Sequence, residues 1–291
     1  MTTMIQPETH TLAVEGATLA YDVRRAVSSE PPLFLIGSPM GAGGFTTLAG
    51  HFDDRTVVTY DPRGVERSAK DDPATESTPA QHAEDVHRII EAVGGGPVDL
   101  FASSGGAVNA LALVAAHPGA VRTLVAHEPP LASLVPDRDG AMAATRAISE
   151  AYQHHGFGAG MARFIGVVSH QGPFTLADAQ APTPDPAMFG LPADDDGTRT
   201  DPLLFQNIIS CTFYEPDFDA LRAGPTRIVI AVGEESEGQL AFRGGVAAAE
   251  RLGTEAVRFP SDHGGFLGGE YGQAGKPDEF AATLREVLTG R

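Results

Sequence analysis

Several residue types that mark other classes of protein are scarce in this chain of 291 residues. It has one cysteine, Cys211, so no disulfide can form within the chain, which is typical of a reducing compartment; we therefore expect a cytoplasmic location. The sequence has no CxxC or HExxH motif and no cluster of His and Cys at metal-binding spacing, so we expect no metal and no cofactor. We interpret Cys211 as a small apolar core residue on a helix.

Positive charge is also scarce. The chain has 20 Lys and Arg against 38 Asp and Glu, which gives a formal net charge of −18. Such a surface repels phosphate backbones and anionic membranes, so nucleic acid and membrane partners are not expected. No run of 18 consecutive residues is apolar and uncharged, so a membrane span is not expected. Met1–Gly16 has no basic patch followed by an apolar run, so a signal peptide is not expected either. The expected partner is a small molecule, and a homo-oligomer stays open.

Short apolar runs alternate with helical patterns along most of the chain. This alternation predicts an α/β fold with a mostly parallel central sheet flanked by helices. The predicted strands are Thr11–Val14, Thr18–Val23, Pro32–Ile36, Thr56–Tyr60, Val98–Ala102, Val121–Ala126, Arg227–Val232 and Ala256–Phe259. The predicted helices between them are Pro79–Val93, Ser104–His117, Gln239–Leu252 and Pro277–Leu288.

The alternation is interrupted between Pro129 and Pro225. Helical patterns cover Asp139–His154, Gly158–Val168 and Pro202–Tyr214, and the stretch Gly172–Asp201, rich in Pro, Asp, Ala and Gly, is interpreted as a mobile part. We predict a core domain of residues 1–130 and 224–291, and a helical lid of residues 131–223. Such an insertion commonly covers the carboxyl ends of the strands.

The most informative segment joins a predicted strand directly to a predicted helix at Ser104. A serine in so tight a turn takes a strained backbone conformation, and large neighbours would clash there. The residues two before and two after it are small, Ala102 and Gly106. The turn would expose the hydroxyl at the start of a helix, where the dipole and unpaired N–H groups favour negative charge.

Ala102–Gly106 (ASSGG) resembles the G-x-S-x-G nucleophile elbow of the α/β-hydrolase fold family, with Ala in place of the first Gly. The resemblance covers nearly the whole chain outside the predicted lid. Gly37–Gly41 (GSPMG) resembles the family's H-G-x-P segment, although Ile36 stands in place of the His. This match implies that the backbone N–H groups of Ser38 and Gly105 form the oxyanion hole.

Two further segments carry the resemblance. Tyr60–Ser68 (YDPRGVERS) resembles the family's D-x-R-G-x-G-x-S turn with Glu66 in place of a glycine, and the match implies a structural role. Phe259–Phe266 (FPSDHGGF) lies where the family carries its catalytic histidine, which implies that His263 is the base. Histidine suits this role because its ordinary pKa is close to working pH.

The acid of the predicted triad has two candidates. The family most often places an Asp in the loop after the strand that follows the lid, where this chain has Ser236 with Glu235 beside it. Glu128 stands at the end of the strand that follows the nucleophile helix, from which some α/β-hydrolases take their acid. We favour Glu128 and keep Glu235 as the alternative, because geometry and not sequence position defines the role.

A serine nucleophile predicts acyl transfer through an acyl-enzyme intermediate, so the expected substrate is a carboxylic ester, thioester or lactone. Cofactor-free haloperoxidase-type chemistry and C–C bond hydrolysis on the same triad are alternatives. A ligand-binding or receptor protein with a vestigial triad is another, because Ile36, Glu66 and Ser236 depart from the family pattern. A nucleotide-binding protein is disfavoured, since Gly37–Gly44 lacks the lysine of a phosphate-binding loop.

Overall fold

The computed structural model of the protein describes residues 6–290, so the first five residues and the last residue of the predicted core ranges lie outside the described part. Its strands are β1 (Glu8–Val14), β2 (Ala17–Arg24), β3 (Leu33–Ile36), β4 (Val57–Tyr60), β5 (Ala69–Lys70), β6 (Val98–Ser103), β7 (Val121–His127), β8 (Arg227–Gly233) and β9 (Val257–Phe259). Each predicted strand is present, and β5 is an addition. All the predicted strand ends lie within one residue of the observed ends, except the start of β1, which lies three residues earlier than predicted.

These strands form one mostly parallel sheet, in the order β1-β2-β4-β3-β6-β7-β8-β9, with β5 paired to β2. β1 and β2 form the predicted antiparallel hairpin, and β2 also pairs antiparallel with β4. The strands from β4 through β3, β6, β7 and β8 to β9 pair in parallel. Because parallel strands end at one edge of the sheet, the loops after β3, β6, β7, β8 and β9 lie together there.

The helices of the described chain are α1 (Thr46–Gly50), α2 (Pro79–Ala92), α3 (Gly105–Ala116), α4 (Arg138–Val168), α5 (Leu176–Gln180), α6 (Ile208–Thr212), α7 (Phe218–Ala223), α8 (Leu240–Leu252) and α9 (Pro277–Thr289). Apolar residues of α2, α3 and α8 pack on one face of the sheet. Those of α1 and α9 pack on the other face. The central strands are therefore buried on both sides, as their continuous apolar runs predict.

The helices α4 to α7 fill the chain between β7 and β8, where the sequence predicts an insertion. The backbone of α4 leaves the helical conformation at Gly156 (φ 81°), which agrees with the two separate helices predicted there. Pro202–Asn207 is a π-helix that continues into α6, instead of one α-helix. The stretch predicted as mobile contains α5 and a 3₁₀ turn at Pro186–Phe189.

The insertion has its own apolar cluster and is fixed to the core by polar contacts. The cluster includes Tyr152, Leu204 and Ile208. The buried His82 of α2 shares a hydrogen bond of 2.7 Å with Asn207 in the π-helix. From Gln6 to Gly290, no helix combines the length and the apolar character that crossing a bilayer requires.

Candidate active site

Ser104 lies in the turn between β6 and α3 and has a strained backbone. Its φ of 57° and ψ of −127° are unusual for a residue with a side chain. A Cβ on Gly106 would lie 2.8 Å from the Cα of Gly37 and from the carbonyl oxygen of Ile36. The chain therefore needs glycine at position 106, because the loop after β3 packs directly on the first turn of α3.

The two residues predicted to form the oxyanion hole lie against each other. A Cβ on Gly105 would lie 2.5 Å from the carbonyl oxygen of Ser38. Gly105 is the first residue of α3, so its N–H has no acceptor one turn back. Within residues 6–290, the N–H of Ser38 donates no hydrogen bond either. Two unpaired backbone donors thus lie beside the hydroxyl-bearing turn.

Glu128 and His263 form a direct hydrogen-bonded pair. The Oε2 atom of Glu128 lies 2.5 Å from Nδ1 of His263, and its Oε1 accepts a 2.8 Å hydrogen bond from the Gly233 N–H. An ionised carboxylate only accepts hydrogen bonds, so Nδ1 of His263 is the donor and its Nε2 is left as the basic nitrogen. Glu128 is fully buried, whereas the side chain of His263 is 40% exposed.

The pair shifts the pKa values of both partners. Burial acts to raise the pKa of Glu128, but the hydrogen bond from His263 and the nearby imidazoles outweigh it and lower this pKa to about 2. Burial acts to lower the pKa of His263, but the hydrogen bond to Glu128 and its charge outweigh it and raise this pKa above its ordinary value. Glu128 is therefore ionised at neutral pH and stabilises a charged His263.

The alternative acid lies elsewhere. Glu235 is half-exposed and pairs with Lys276, whose Nζ lies 2.6 Å from its carboxylate. The neighbouring Ser236 is fully buried, and within the described chain its hydroxyl has no hydrogen-bond partner. The structure thus brings Glu128, and not Glu235, to His263.

Ser104 and His263 lie at the same edge of the sheet. The Ser104 N–H donates a 2.9 Å hydrogen bond to the carbonyl oxygen of His127, and the His127 ring centroid lies 5.9 Å from that of His263. No hydrogen bond joins the side chains of Ser104 and His263 in the part of the chain that the structure describes.

The turn after β4 is tied down by ion pairs. Asp61 accepts from the Ala42 N–H at 2.8 Å and from Nε of Arg67 at 2.6 Å, while Arg63 forms a buried two-point pair with Asp85 at 2.6 and 2.7 Å. Glu66, which replaces the family's glycine, has a φ of 47°, so the backbone keeps the conformation for which glycine is favoured. Glu66 therefore adopts a positive φ in spite of its side chain.

His127, which lies between the serine turn and Glu128, is a residue of the site for which the sequence predicts no role. Its ring is fully buried, and its Nδ1 lies 3.1 Å from the hydroxyl of Ser103. Its position on a buried strand directly before the candidate acid was the signal available in the sequence. Among residues 6–290, no group of three or more His, Cys, Asp or Glu side chains could hold a metal ion.

A buried serine turn at the carboxyl edge of a parallel sheet, beside a carboxylate and histidine pair, is the arrangement of the hydrolases built on this fold. Residues 32–170 match the family described as alpha/beta hydrolase fold. The chain is 30% identical over 262 residues to the uncharacterized hydrolase YraK of Bacillus subtilis (strain 168), which covers 88% of this chain and 89% of that protein. The chain therefore belongs to the α/β-hydrolase fold family and is an enzyme of that family, as predicted.

Solved structures share the fold over almost the full length. A carboxylesterase structure from Nitrososphaera gargenis is similar with a TM-score of 0.68 and 16% identity, over 97% of this chain and 98% of that one. The enol-lactonase from Burkholderia xenovorans LB400 is similar with a TM-score of 0.60 and 17% identity, over 96% of this chain and all of that one. At these identities the likeness establishes the fold, and this chain's own residues must carry the chemistry.

Proposed function

We propose that the protein is a serine hydrolase that cleaves an ester-like acyl bond through an acyl-enzyme intermediate. The observation that carries the proposal is the 2.5 Å contact between Glu128 and His263 at the sheet edge where Ser104 sits. Structural similarity to a carboxylesterase and to an enol-lactonase supports esters and lactones as the substrate class.

In this mechanism Ser104 attacks the acyl carbon and His263 accepts the hydroxyl proton at Nε2. Glu128 keeps the proton on Nδ1 and stabilises the imidazolium that forms. The N–H groups of Ser38 and Gly105 donate to the oxyanion of the tetrahedral intermediate. His263 then returns the proton to the leaving group. In the second half of the reaction water attacks the acyl-enzyme, His263 accepts a proton from the water and returns it to the oxygen of Ser104, and the acid is released.

The helical insertion, residues 131–223, is proposed as the lid of this site. Cys211 of α6 lies against the first turn of the nucleophile helix, since its sulfur would be 3.1 Å from a Cβ on Gly105. Burial raises the pKa of the Cys211 thiol to about 12, so the thiol stays neutral, and it donates a weak hydrogen bond of 3.7 Å to the carbonyl oxygen of Gly105. A lid helix that reaches the oxyanion donors would exclude water from the acyl group.

A panel of p-nitrophenyl esters of rising chain length, assayed beside a Ser104→Ala variant, tests the proposal. We expect hydrolysis by the wild-type protein and a loss of several orders of magnitude in the variant. Thioester and lactone substrates assayed in parallel would define the acyl class. Hydrolysis at the wild-type rate by Ser104→Ala would overturn the proposal, as would no turnover of any ester by the wild-type protein.

A further inference from the structure

The buried residue His127 contacts the turn at Ser104 and directly precedes the turn at Glu128. The carbonyl oxygen of His127 accepts from the N–H of Ser104 at 2.9 Å, and its ring Nδ1 lies 3.1 Å from the hydroxyl of Ser103. The next residue along β7 is Glu128. His127 is therefore bonded to two consecutive residues of the serine turn and covalently joined to the candidate acid.

Both turns that it joins are strained. Ser104 has a φ of 57° and Glu128 a φ of 49°, in the region that side chains disfavour. Such conformations persist only where the surroundings hold them. On its other side Glu128 is held by its own N–H, which donates to the Ala231 carbonyl oxygen at 2.9 Å, and by the Gly233 N–H. His127 supplies the corresponding contacts toward the serine.

The His127 ring also supports the base. It stacks against His263 with 29° between the ring planes, and the rings of Phe101, Phe259, Phe266 and Phe280 surround it at centroid distances of 5.3 to 6.3 Å. Burial lowers the pKa of His127 to about 4, although the charge of Glu128 acts to raise it. The ring is thus neutral at working pH and does not compete with His263 for the carboxylate.

We propose that His127 is a positioning residue of the reaction, whose ring and carbonyl hold the nucleophile turn in register with the Glu128–His263 pair. This inference rests on the function proposed above. Within the described residues Nε2 of His127 is buried without a hydrogen-bond partner, so the contact of Nδ1 with the Ser103 hydroxyl is the polar contact that the ring makes. If that bond is lost, the hydroxyl of Ser104 shifts relative to His263, and a displacement of about 1 Å can cost about 100-fold in rate.

The test compares His127→Phe, His127→Asn and Ser103→Ala with the wild-type protein. Phe fits the aromatic pocket without a polar atom, whereas the side chain of Asn places one close to the position of Nδ1. Active sites are titrated with a fluorophosphonate, and kcat and KM are measured per labelled site. We expect His127→Phe to lower kcat about 100-fold with KM within twofold, and His127→Asn to recover at least tenfold of that loss.

Ser103→Ala removes the same hydrogen bond by a small change that the fold tolerates well, so it decides the matter if His127→Phe fails to fold. Ser103→Ala should lower kcat at least tenfold. The double variant that combines Ser103→Ala with His127→Phe should have a kcat only slightly below that of His127→Phe, because both changes remove the same hydrogen bond. His117→Phe is the matched control: His117 also has a 3.1 Å bond, to Glu84, and stacks on a histidine, but lies at the far end of α3. Its kcat per labelled site should not change.

Two results would overturn the inference: a kcat for Ser103→Ala within threefold of wild type, or no advantage of His127→Asn over His127→Phe. Either would mean that the hydrogen bond between Ser103 and His127 does not hold the nucleophile turn in its reactive position. The failure of the proposed function would look different, because the wild-type protein would then not be labelled at Ser104 at all.

Discussion

Replacement of Glu128 by glutamine tests the arrangement of the site in detail. Each oxygen of the carboxylate contacts a different group. One oxygen accepts a 2.8 Å hydrogen bond from the Gly233 N–H, and the other lies 2.5 Å from Nδ1 of His263. In the glutamine variant the amide oxygen must face Gly233, because an amide NH₂ there would clash with the N–H. The NH₂ group then faces Nδ1 of His263.

This orientation of the amide favours the other tautomer of His263. An NH₂ group only donates, so Nδ1 becomes the acceptor and the ring proton moves to Nε2, where it cannot accept the proton of Ser104. The negative charge that raises the pKa of His263 is also removed. We therefore expect kcat to fall about 10⁴-fold, the usual loss when the acid of such a triad becomes an amide. KM should change much less.

The assay is steady-state hydrolysis of the best p-nitrophenyl ester over a range of pH. Glu235→Gln serves as the control, because Glu235 is half-exposed, pairs with Lys276 and does not contact His263. It should retain activity within about twofold, since exposed ion pairs contribute little. Retention of most of the activity by Glu128→Gln, or a loss in Glu235→Gln as large as that in Glu128→Gln, would refute this role of Glu128.

Three further predictions concern the base, the elbow and the turn after β4. In the wild-type protein kcat/KM should rise with pH through an apparent pKa above 6.5, since His263 must be neutral to act as base and its pKa is raised. Gly106→Ala should lower the free energy of unfolding by about 1–3 kcal/mol in denaturant titrations and reduce activity, because its Cβ meets the backbone of residues 36–37. Arg63→Ala should lower the free energy of unfolding by about 3–5 kcal/mol, because it leaves the buried Asp85 carboxylate without its partner.

Each of these has an outcome that contradicts it. An apparent pKa at or below 6.5 would mean that Glu128 does not hold the His263 charge. A free energy of unfolding for Gly106→Ala equal to that of the wild-type protein would mean that the loop after β3 can move away from the added Cβ at little cost. Arg222→Ala is the control for Arg63→Ala: Arg222 pairs with Asp219 on the surface, so its loss should cost less than about 1 kcal/mol.

The sequence predicts the sheet well because a parallel strand is buried on both faces and reads as a continuous apolar run. Leu33–Ile36 and Val57–Tyr60 are fully buried and show this pattern. The helices α1, α5 and α7 were not predicted, because an element of five or six residues is too short to show a periodic apolar pattern. The sequence predicts one α-helix over Pro202–Tyr214, where the structure has a π-helix at Pro202–Asn207 followed by α6, because i to i+5 bonding is rare.

The site residues divide in a similar way. The strained turn at Ser104 could be predicted because it demands small neighbours, and this leaves a local pattern in the sequence. The sequence favours Glu128 over Glu235 but does not decide between them, because both follow strands and only the tertiary approach of His263 separates them. The contacts of His127 link residues about 24 positions apart and likewise have no local signature.

The proposed mechanism depends most on Ser104 as the nucleophile. Intact mass measurement after fluorophosphonate treatment, followed by peptide mapping, tests it directly. We predict one adduct per chain, carried by Ser104, and none in a Ser104→Ala variant. An adduct on another residue, or the same labelling in Ser104→Ala, would contradict the account.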